Sequence, residues 1–157
     1  MQLFLRLIVS ATFVLCLTGN TSSFNSIAFA EGSSVGKQRV ARGLFTTNIV
    51  DREPVDQVLI LSNAVKQIYF FTDLRHYQGQ TITHRWEYEG KLVMEKTFEV
   101  GAPRWRVYSE KDLEPAMTGT WTVVVSDGKN WPIYAALFQY VEKVPGGEKG
   151  IILPLEE

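Results

Sequence analysis

The sequence has few of the residues that form disulfides, metal sites and catalytic bases. Cys16 is its single cysteine, and His76 and His84 are its two histidines. A zinc site usually takes three or four ligands from histidine, cysteine or carboxylate side chains, and a disulfide within one chain takes two cysteines. We therefore predict no metal, no cofactor and no internal disulfide, so that a hydrophobic core alone stabilises the fold.

The sequence also lacks an apolar run as long as a typical membrane span. Residues 7–17 are mostly apolar and follow Arg6, whereas a membrane-spanning helix needs about 20 apolar residues. Ala28-Phe29-Ala30 fits the small-x-small cleavage pattern of secretory signals. The sequence therefore predicts a signal peptide over residues 1–30, a periplasmic or secreted protein, and no stable membrane insertion after cleavage. The alternative is an uncleaved N-terminus that anchors the protein to the inner membrane.

Neither sign of charge is in large excess. The chain has 16 Lys and Arg against 17 Asp and Glu, and removal of Arg6 with the signal peptide leaves 15 against 17, a net charge of -2. Domains that bind nucleic acid usually carry a basic stripe. The charge balance therefore argues against nucleic acid as a partner, and the oligomeric state stays open.

Short alternating segments separated by turn residues predict strands along most of the mature chain. Residues 120–126 are typical, because Trp121, Val123 and Val125 alternate with threonines and Val124. No part of the mature chain keeps a helical period. The pattern predicts an all-β fold, a single antiparallel β-sandwich that is immunoglobulin-like with about seven strands. It divides the mature chain into a flexible linker (31–40), the sandwich domain (41–142) and a C-terminal tail (143–157). The alternative for this last segment is a late edge strand, because Ile151-Ile152-Leu153 follows two glycines.

The clearest hairpin joins residues 81–87 to residues 91–100. A three-residue loop, Tyr88-Glu89-Gly90, places Trp86 opposite Leu92 and His84 opposite Met94. A two-residue loop is less favourable, because it places the acidic Glu95 opposite His84. We therefore predict the three-residue loop, with Gly90 in the left-handed conformation that such a loop needs. In this register the apolar face of the hairpin, which points inward with Trp86, carries Ile82, His84, Trp86, Leu92, Met94 and Phe98.

Several segments resemble one family, a bacterial domain of unknown function with the number 2914. The segments are Arg52-Glu53-Pro54-Val55-Asp56, residues 68–75, residues 79–86, Pro103-Arg104-Trp105-Arg106-Val107 and Gly119-Thr120-Trp121. The resemblance extends over residues 41–141 and implies a compact β-rich domain of bacterial envelope or membrane-associated proteins. It implies no particular activity.

Arginines stand beside aromatic residues along the predicted strands. Arg85 is opposite in phase to Trp86, and Arg104 and Arg106 are opposite in phase to Trp105, so inward tryptophans place these arginines outward. Guanidinium groups bind carboxylates and phosphates and stack on rings. We predict that the arginines share one sheet face and form a ligand-binding surface that consists of Arg85, Arg104, Arg106, Tyr69 and Tyr108. The alternative is a set of structural ion pairs, such as Arg85 with Glu87 or Glu95.

No catalytic residue is predicted. Ser109 and His84 show no motif of a catalytic triad, and His84 falls on the core face of its strand. We expect a non-catalytic exported domain that binds an envelope protein or an anionic glycan. One alternative is a glycan-acting hydrolase that uses two carboxylates from the set Glu53, Asp56, Asp73 and Glu87. The other is a structural spacer without a ligand.

Overall fold

The computed structural model describes residues 36–143 and 149–155, so the predicted signal peptide lies outside the described residues. Eleven strands are present in this part of the chain, and eight of them have seven residues or more. They are β1 (Arg39–Thr46), β2 (Ile49–Val50), β3 (Glu53–Pro54), β4 (Asp56–Ser62), β5 (Gln67–Arg75), β6 (Thr81–Tyr88), β7 (Lys91–Glu99), β8 (Arg104–Asp112), β9 (Gly119–Asp127), β10 (Pro132–Val141) and β11 (Gly150–Pro154).

The strands form two main sheets and a small ribbon. One sheet has three strands in the order β1-β5-β8, the other has six in the order β11-β4-β10-β9-β6-β7, and β2 pairs with β3. This arrangement confirms the predicted all-β sandwich. The predicted number of about seven strands is too low, because the two-residue strands and β11 carry no extended alternation. One pairing, between β10 and β4, is parallel, whereas the prediction was fully antiparallel.

The core lies between the two main sheets and is rich in aromatic rings. Phe45 of the three-stranded sheet is central to it, with ring-centroid distances of 4.9 Å to Phe70, 5.6 Å to Trp86 and 4.7 Å to Phe138. Trp86 and Trp121 are completely buried, as their alternation predicts. Trp105 is only half-buried. The inner faces of β6 and β10 therefore pack directly on β1, and β6 also packs on β5 through Trp86 and Phe70.

The register of the β6–β7 hairpin differs from the predicted one. Trp86 lies opposite Met94 instead of Leu92, and His84 lies opposite Lys96 instead of Met94. The loop has two residues, Glu89 and Gly90, both with positive φ. Two features cause the difference. The loop is one residue shorter than the predicted three-residue loop, and a β-bulge at the step from Trp86 to Glu87, which a strict period of two does not contain, shifts the register by one further residue. Gly90 does take the predicted left-handed conformation, with φ 73°.

The bulge also changes which residues of β7 face solvent. Met94 and Phe98 pack partly against the core, as predicted for that face. Leu92 lies beyond the bulge opposite Glu87, and its side chain is 51% exposed. The predicted inward position of Leu92 is therefore wrong, whereas those of Ile82, His84 and Trp86 are confirmed by complete burial.

The C-terminal segment, predicted as a tail or a late edge strand, contains a strand at a sheet edge. β11 pairs antiparallel with β4 and forms one edge of the six-stranded sheet, and Ile152 packs against the core. At the other end of the domain, β1 begins at Arg39, inside the predicted linker. Within the described residues, no helix is long and apolar enough to cross a membrane.

Candidate functional site

The outer face of the three-stranded sheet carries a concentration of arginine and tyrosine. In β8, Trp105 and Val107 point toward the core, while Arg104, Arg106 and Tyr108 alternate with them on the outside. This alternation confirms the predicted outward direction of Arg104 and Arg106. The neighbouring strand β5 supplies Tyr69, Asp73 and Arg75 to the same face, in register with Glu110, Arg106 and Arg104.

Asp73 binds two of the arginines. Arg104 Nε and Nη2 donate to Asp73 Oδ2 at 3.2 and 3.1 Å. Arg75 Nη2 donates to the same oxygen at 3.0 Å, and Arg75 Nε lies 2.9 Å from Oδ1. The Asp73 side chain is only 5% exposed, whereas that of Arg104 is 55% exposed. The carboxylate thus lies beneath two guanidinium groups that reach solvent.

Glu53 binds two further arginines on the same face. The β2–β3 ribbon folds over the sheet, and Glu53 of β3 forms ion pairs with Arg42 of β1 and Arg106 of β8. The Arg42 guanidinium also lies over the Phe71 ring, 5.0 Å from its centroid. Phe71 is completely buried although it is outside the central core cluster. The ribbon therefore covers one part of the outer face and contributes a carboxylate to it.

Asp56 fixes the ribbon to the end of β1. Its Oδ1 accepts hydrogen bonds from Thr46 Oγ1 and Thr47 N, both at 2.8 Å, and its Oδ2 accepts one from Thr47 Oγ1 at 2.5 Å. The turn of the ribbon, Asp51-Arg52, has φ angles of 49° and 66°, a left-handed conformation that costs free energy for residues with a Cβ. The hydrogen bonds of Asp56 help to hold this turn in place.

The two clusters together form what we call the arginine face: Arg42, Arg75, Arg104 and Arg106 with Glu53 and Asp73. Each carboxylate is shared by two guanidinium groups, so each cluster keeps one positive charge. A guanidinium has five N–H donors, and each of these arginines directs at most two toward its carboxylate. Tyr108, 41% exposed, lies beside this face, with its ring 6.2 Å from that of Tyr69.

The structure does not bring Arg85 to this face. Arg85 belongs to β6 of the six-stranded sheet, whereas Arg104 and Arg106 belong to β8 of the three-stranded sheet. Arg85 instead pairs with Glu87 at 3.4 Å and with Glu95 at 3.2 Å. The prediction that the three arginines share one sheet face is therefore wrong for Arg85, because alternation fixes the side of a strand but does not say which strands are neighbours.

Arg42, Arg75, Glu53 and Asp73 are members of the arginine face that the predicted ligand-binding set did not include. Arg75 and Asp73 share the phase of Tyr69 along β5, so alternation contained the signal for them. Arg42 could not be found in this way, because a register shift between Val40 and Arg42 interrupts the period of β1. Glu53 reaches the face only through the fold of the ribbon.

The carboxylates considered for hydrolysis are all engaged by other side chains. Glu53 and Asp73 bind arginines, Asp56 binds threonines and Glu87 pairs with Arg85. Within the described residues, no group of three or more His, Cys, Asp or Glu side chains is placed to hold a metal ion. These arrangements do not favour two free carboxylates acting on a glycan.

Ser109 and His84 do form a hydrogen bond, but in the interior. His84 Nδ1 lies 3.0 Å from Ser109 Oγ, which also accepts a bond from Trp86 Nε1 at 2.9 Å, and His84 Nε2 lies 3.1 Å from Thr72 Oγ1. Ser109, His84 and Thr72 are completely buried. Burial, and to a smaller extent the positive charge of Lys96, lower the pKa of His84 to about 3. The group is a satisfied buried histidine, as its core-facing position predicts.

The comparison with known families concerns the second half of the domain. Residues 79–140 match the family described as Protein of unknown function (DUF2914). The match confirms the resemblance predicted from the sequence motifs, over a segment that extends from the loop before β6 into β10. The DUF2914 segment includes Arg104 and Arg106, while Arg42, Glu53, Asp73 and Arg75 precede it. No curated protein matches the chain.

Proposed function

We propose that this protein is an exported, non-catalytic domain that binds an anionic polymer of the bacterial envelope through the arginine face. The observation that carries the proposal is the pairing of two carboxylates with four arginines on one sheet face. Export is supported by the signal-like residues 1–30. The envelope location also follows what the family resemblance implies.

The carboxylates prepare the arginines for a ligand. An arginine side chain loses about 2 kcal/mol of rotamer entropy when it is fixed. Asp73 and Glu53 already restrict the four arginines of the arginine face in the free protein. These side chains therefore lose less entropy when a ligand binds. The remaining N–H donors favour carboxylate or phosphate groups, which guanidinium binds with charge-assisted hydrogen bonds. A repeating polyanion can engage both clusters at once.

The test uses Arg104→Ala combined with Arg106→Ala. The probes are polyglutamate and polyphosphate immobilised on a resin, which separate carboxylate from phosphate recognition. We expect the unchanged protein to be retained at low salt, retention to weaken as salt screens the charges, and the double variant to elute early. The charge-matched control is Arg85→Ala with Lys91→Ala, because neither residue belongs to the arginine face.

Two results would contradict the proposal. Equal loss of retention in both double variants would indicate a general charge effect. A lower melting temperature of the Arg104/Arg106 variant with full retention would indicate a purely structural ion-pair network. Glu53→Gln adds a third arm. The amide oxygen still accepts a hydrogen bond and keeps an arginine in place, while the loss of the negative charge should strengthen retention of the polyanion, whereas a structural network predicts only a loss of stability.

A further inference from the structure

One end of the sandwich has a polar groove that is separate from the arginine face. It consists of two depressions of about 550 and 440 Å³ that share the lining segment Gly79-Gln80-Thr81. The first is bordered by Gln38 and by the β9–β10 loop, and the second by Glu99, Val100 and Gly101. We call these two depressions together the end groove.

The walls of the end groove are held by backbone hydrogen bonds. Gly79 N donates to Val100 O at 2.8 Å, and Val100 N donates to Gln80 O at 2.9 Å. On the opposite side, Asp127 Oδ1 accepts from the backbone N–H groups of Lys129 and Trp131, both at 2.9 Å. The groove is therefore formed before any ligand arrives, which reduces the entropy lost on binding.

The loop beside the end groove presents an exposed indole. Trp131 is 68% exposed, whereas Trp86 and Trp121 are completely buried. Trp131 lies two positions after Lys129, which lines the groove. Asp127 N also donates to Trp131 O at 2.9 Å, so both backbone groups of Trp131 are fixed. A large apolar ring on a rigid loop is typical of a contact residue in a binding site.

We propose that the end groove and Trp131 form a binding site for a neutral oligosaccharide. The C–H face of a sugar ring is apolar and packs on an indole, while its hydroxyl groups need mixed donors and acceptors. Gln38, Gln80 and Thr81 offer amide and hydroxyl groups of both kinds. The charged lining residues are Lys129, Asp127 and Glu99, one cation with two anions. This balance favours an uncharged ligand over a polyanion.

The same charges disfavour a lipid surface as the ligand. Protein segments that lie on anionic membranes combine apolar residues with several Lys or Arg side chains. The end groove has one lysine and two carboxylates. The proposal is independent of the arginine face, because the ligand is neutral and no residue of the arginine face lines the groove.

Titration calorimetry tests the proposal with three neutral tetrasaccharides: β-1,4-linked N-acetylglucosamine, β-1,4-linked glucose and α-1,4-linked glucose. We expect the unchanged protein to bind at least one of them. Trp131→Ala should weaken that binding by about tenfold, the loss expected when one aromatic contact is removed. Gln80→Ala should weaken it as well. The control is Leu137→Ala, which removes another exposed apolar side chain, 56% exposed against 68% for Trp131, from β10.

A melting curve of each variant shows whether it is folded. Failure of all three tetrasaccharides to bind would overturn the proposal, as would an equal effect of Trp131→Ala and Leu137→Ala. Vesicles of phosphatidylethanolamine and phosphatidylglycerol provide the remaining arm. If the protein binds these vesicles through Trp131 and binds no oligosaccharide, the proposal is overturned and the ligand of the site is a lipid surface.

Discussion

At the scale of single residues, His84 shows how the interior accepts a titratable group. Its two ring nitrogens face the hydroxyl groups of Thr72 and Ser109, and its ring lies edge-on to Phe70 and Phe98. A neutral imidazole donates one hydrogen bond and accepts another, which two hydroxyl groups can match. A protonated imidazole would place a charge in a dry core beside Lys96.

The stability of the fold should therefore fall as the solution becomes acidic. The pKa of His84 is lowered from 6.5 to about 3 in the folded protein. Between these values the unfolded chain binds a proton that the folded chain rejects, so stability is complete above pH 6.5 and is lost progressively as pH falls toward 3. The loss at pH 5 is about 2 kcal/mol.

Urea denaturation at pH 7 and pH 5 measures this effect above the range in which most carboxylates titrate. His84→Gln should show a much smaller difference between the two pH values, although it is less stable at both. His76→Asn, at the half-buried second histidine, should keep the full difference. Equal stability of the unchanged protein at pH 7 and pH 5 would show that His84 is protonated in the fold.

At the scale of elements, the β6–β7 hairpin depends on a tight two-residue turn. Glu89 and Gly90 have φ angles of 48° and 73°, the signs required by a type I′ turn. Glu89 Oε1 also accepts a hydrogen bond from Thr120 N at 2.5 Å, which links the turn to β9. The bulge next to this turn shifts the register of β7 by one residue, so that Met94 and not Val93 lies opposite Trp86.

Gly90→Ala should destabilise the domain by about 1 kcal/mol, because a Cβ disfavours the left-handed conformation. An added Cβ would meet no atom within 4 Å, so the loss comes from the backbone alone. Gly128→Ala is the matched control, since its φ lies outside the left-handed range and its Cβ would make an ordinary contact with Thr81. The denaturant midpoint of Gly90→Ala should be lower than that of Gly128→Ala. Equal midpoints would show that the left-handed conformation of Gly90 does not disfavour a Cβ.

The sequence predicts the side of a strand on which a residue lies much better than it predicts which residues and strands pair with each other. Alternation correctly places Trp86 and Trp121 inward and Arg104 outward. It misses the register of the hairpin, because the loop has two residues instead of three and a bulge adds one residue without leaving a signal in the period. It also misses the separation of Arg85 from Arg106, because the choice between two sheets depends on long-range packing.

At the scale of the whole molecule, the two sheets share one core. Phe138 of the six-stranded sheet contacts Phe45 of the three-stranded sheet, and its ring also stacks on Trp121 at 6.4 Å. Neither sheet can bury its inner face without the other. The described part of the domain should therefore unfold as one cooperative unit.

Phe138→Ala should cost about 3 to 5 kcal/mol, the usual loss for a buried aromatic residue. Tryptophan fluorescence and far-ultraviolet circular dichroism should report the same shifted midpoint, because both sheets lose the same contact. Leu137→Ala, at the adjacent exposed position, should change either midpoint by less than about 0.5 kcal/mol. Separate midpoints for the two signals would show that the sheets unfold independently.

The parallel pairing of β10 with β4 has a consequence for when the chain can fold. It joins Gln139 to Ile60, and Tyr140 of the same strand lies in the core. Contacts between positions so distant in sequence form slowly, and none can form before the later strand exists. A chain that emerges N-terminus first from a ribosome therefore carries an incomplete core until β10 has come out, and its early strands must stay free of aggregation until then.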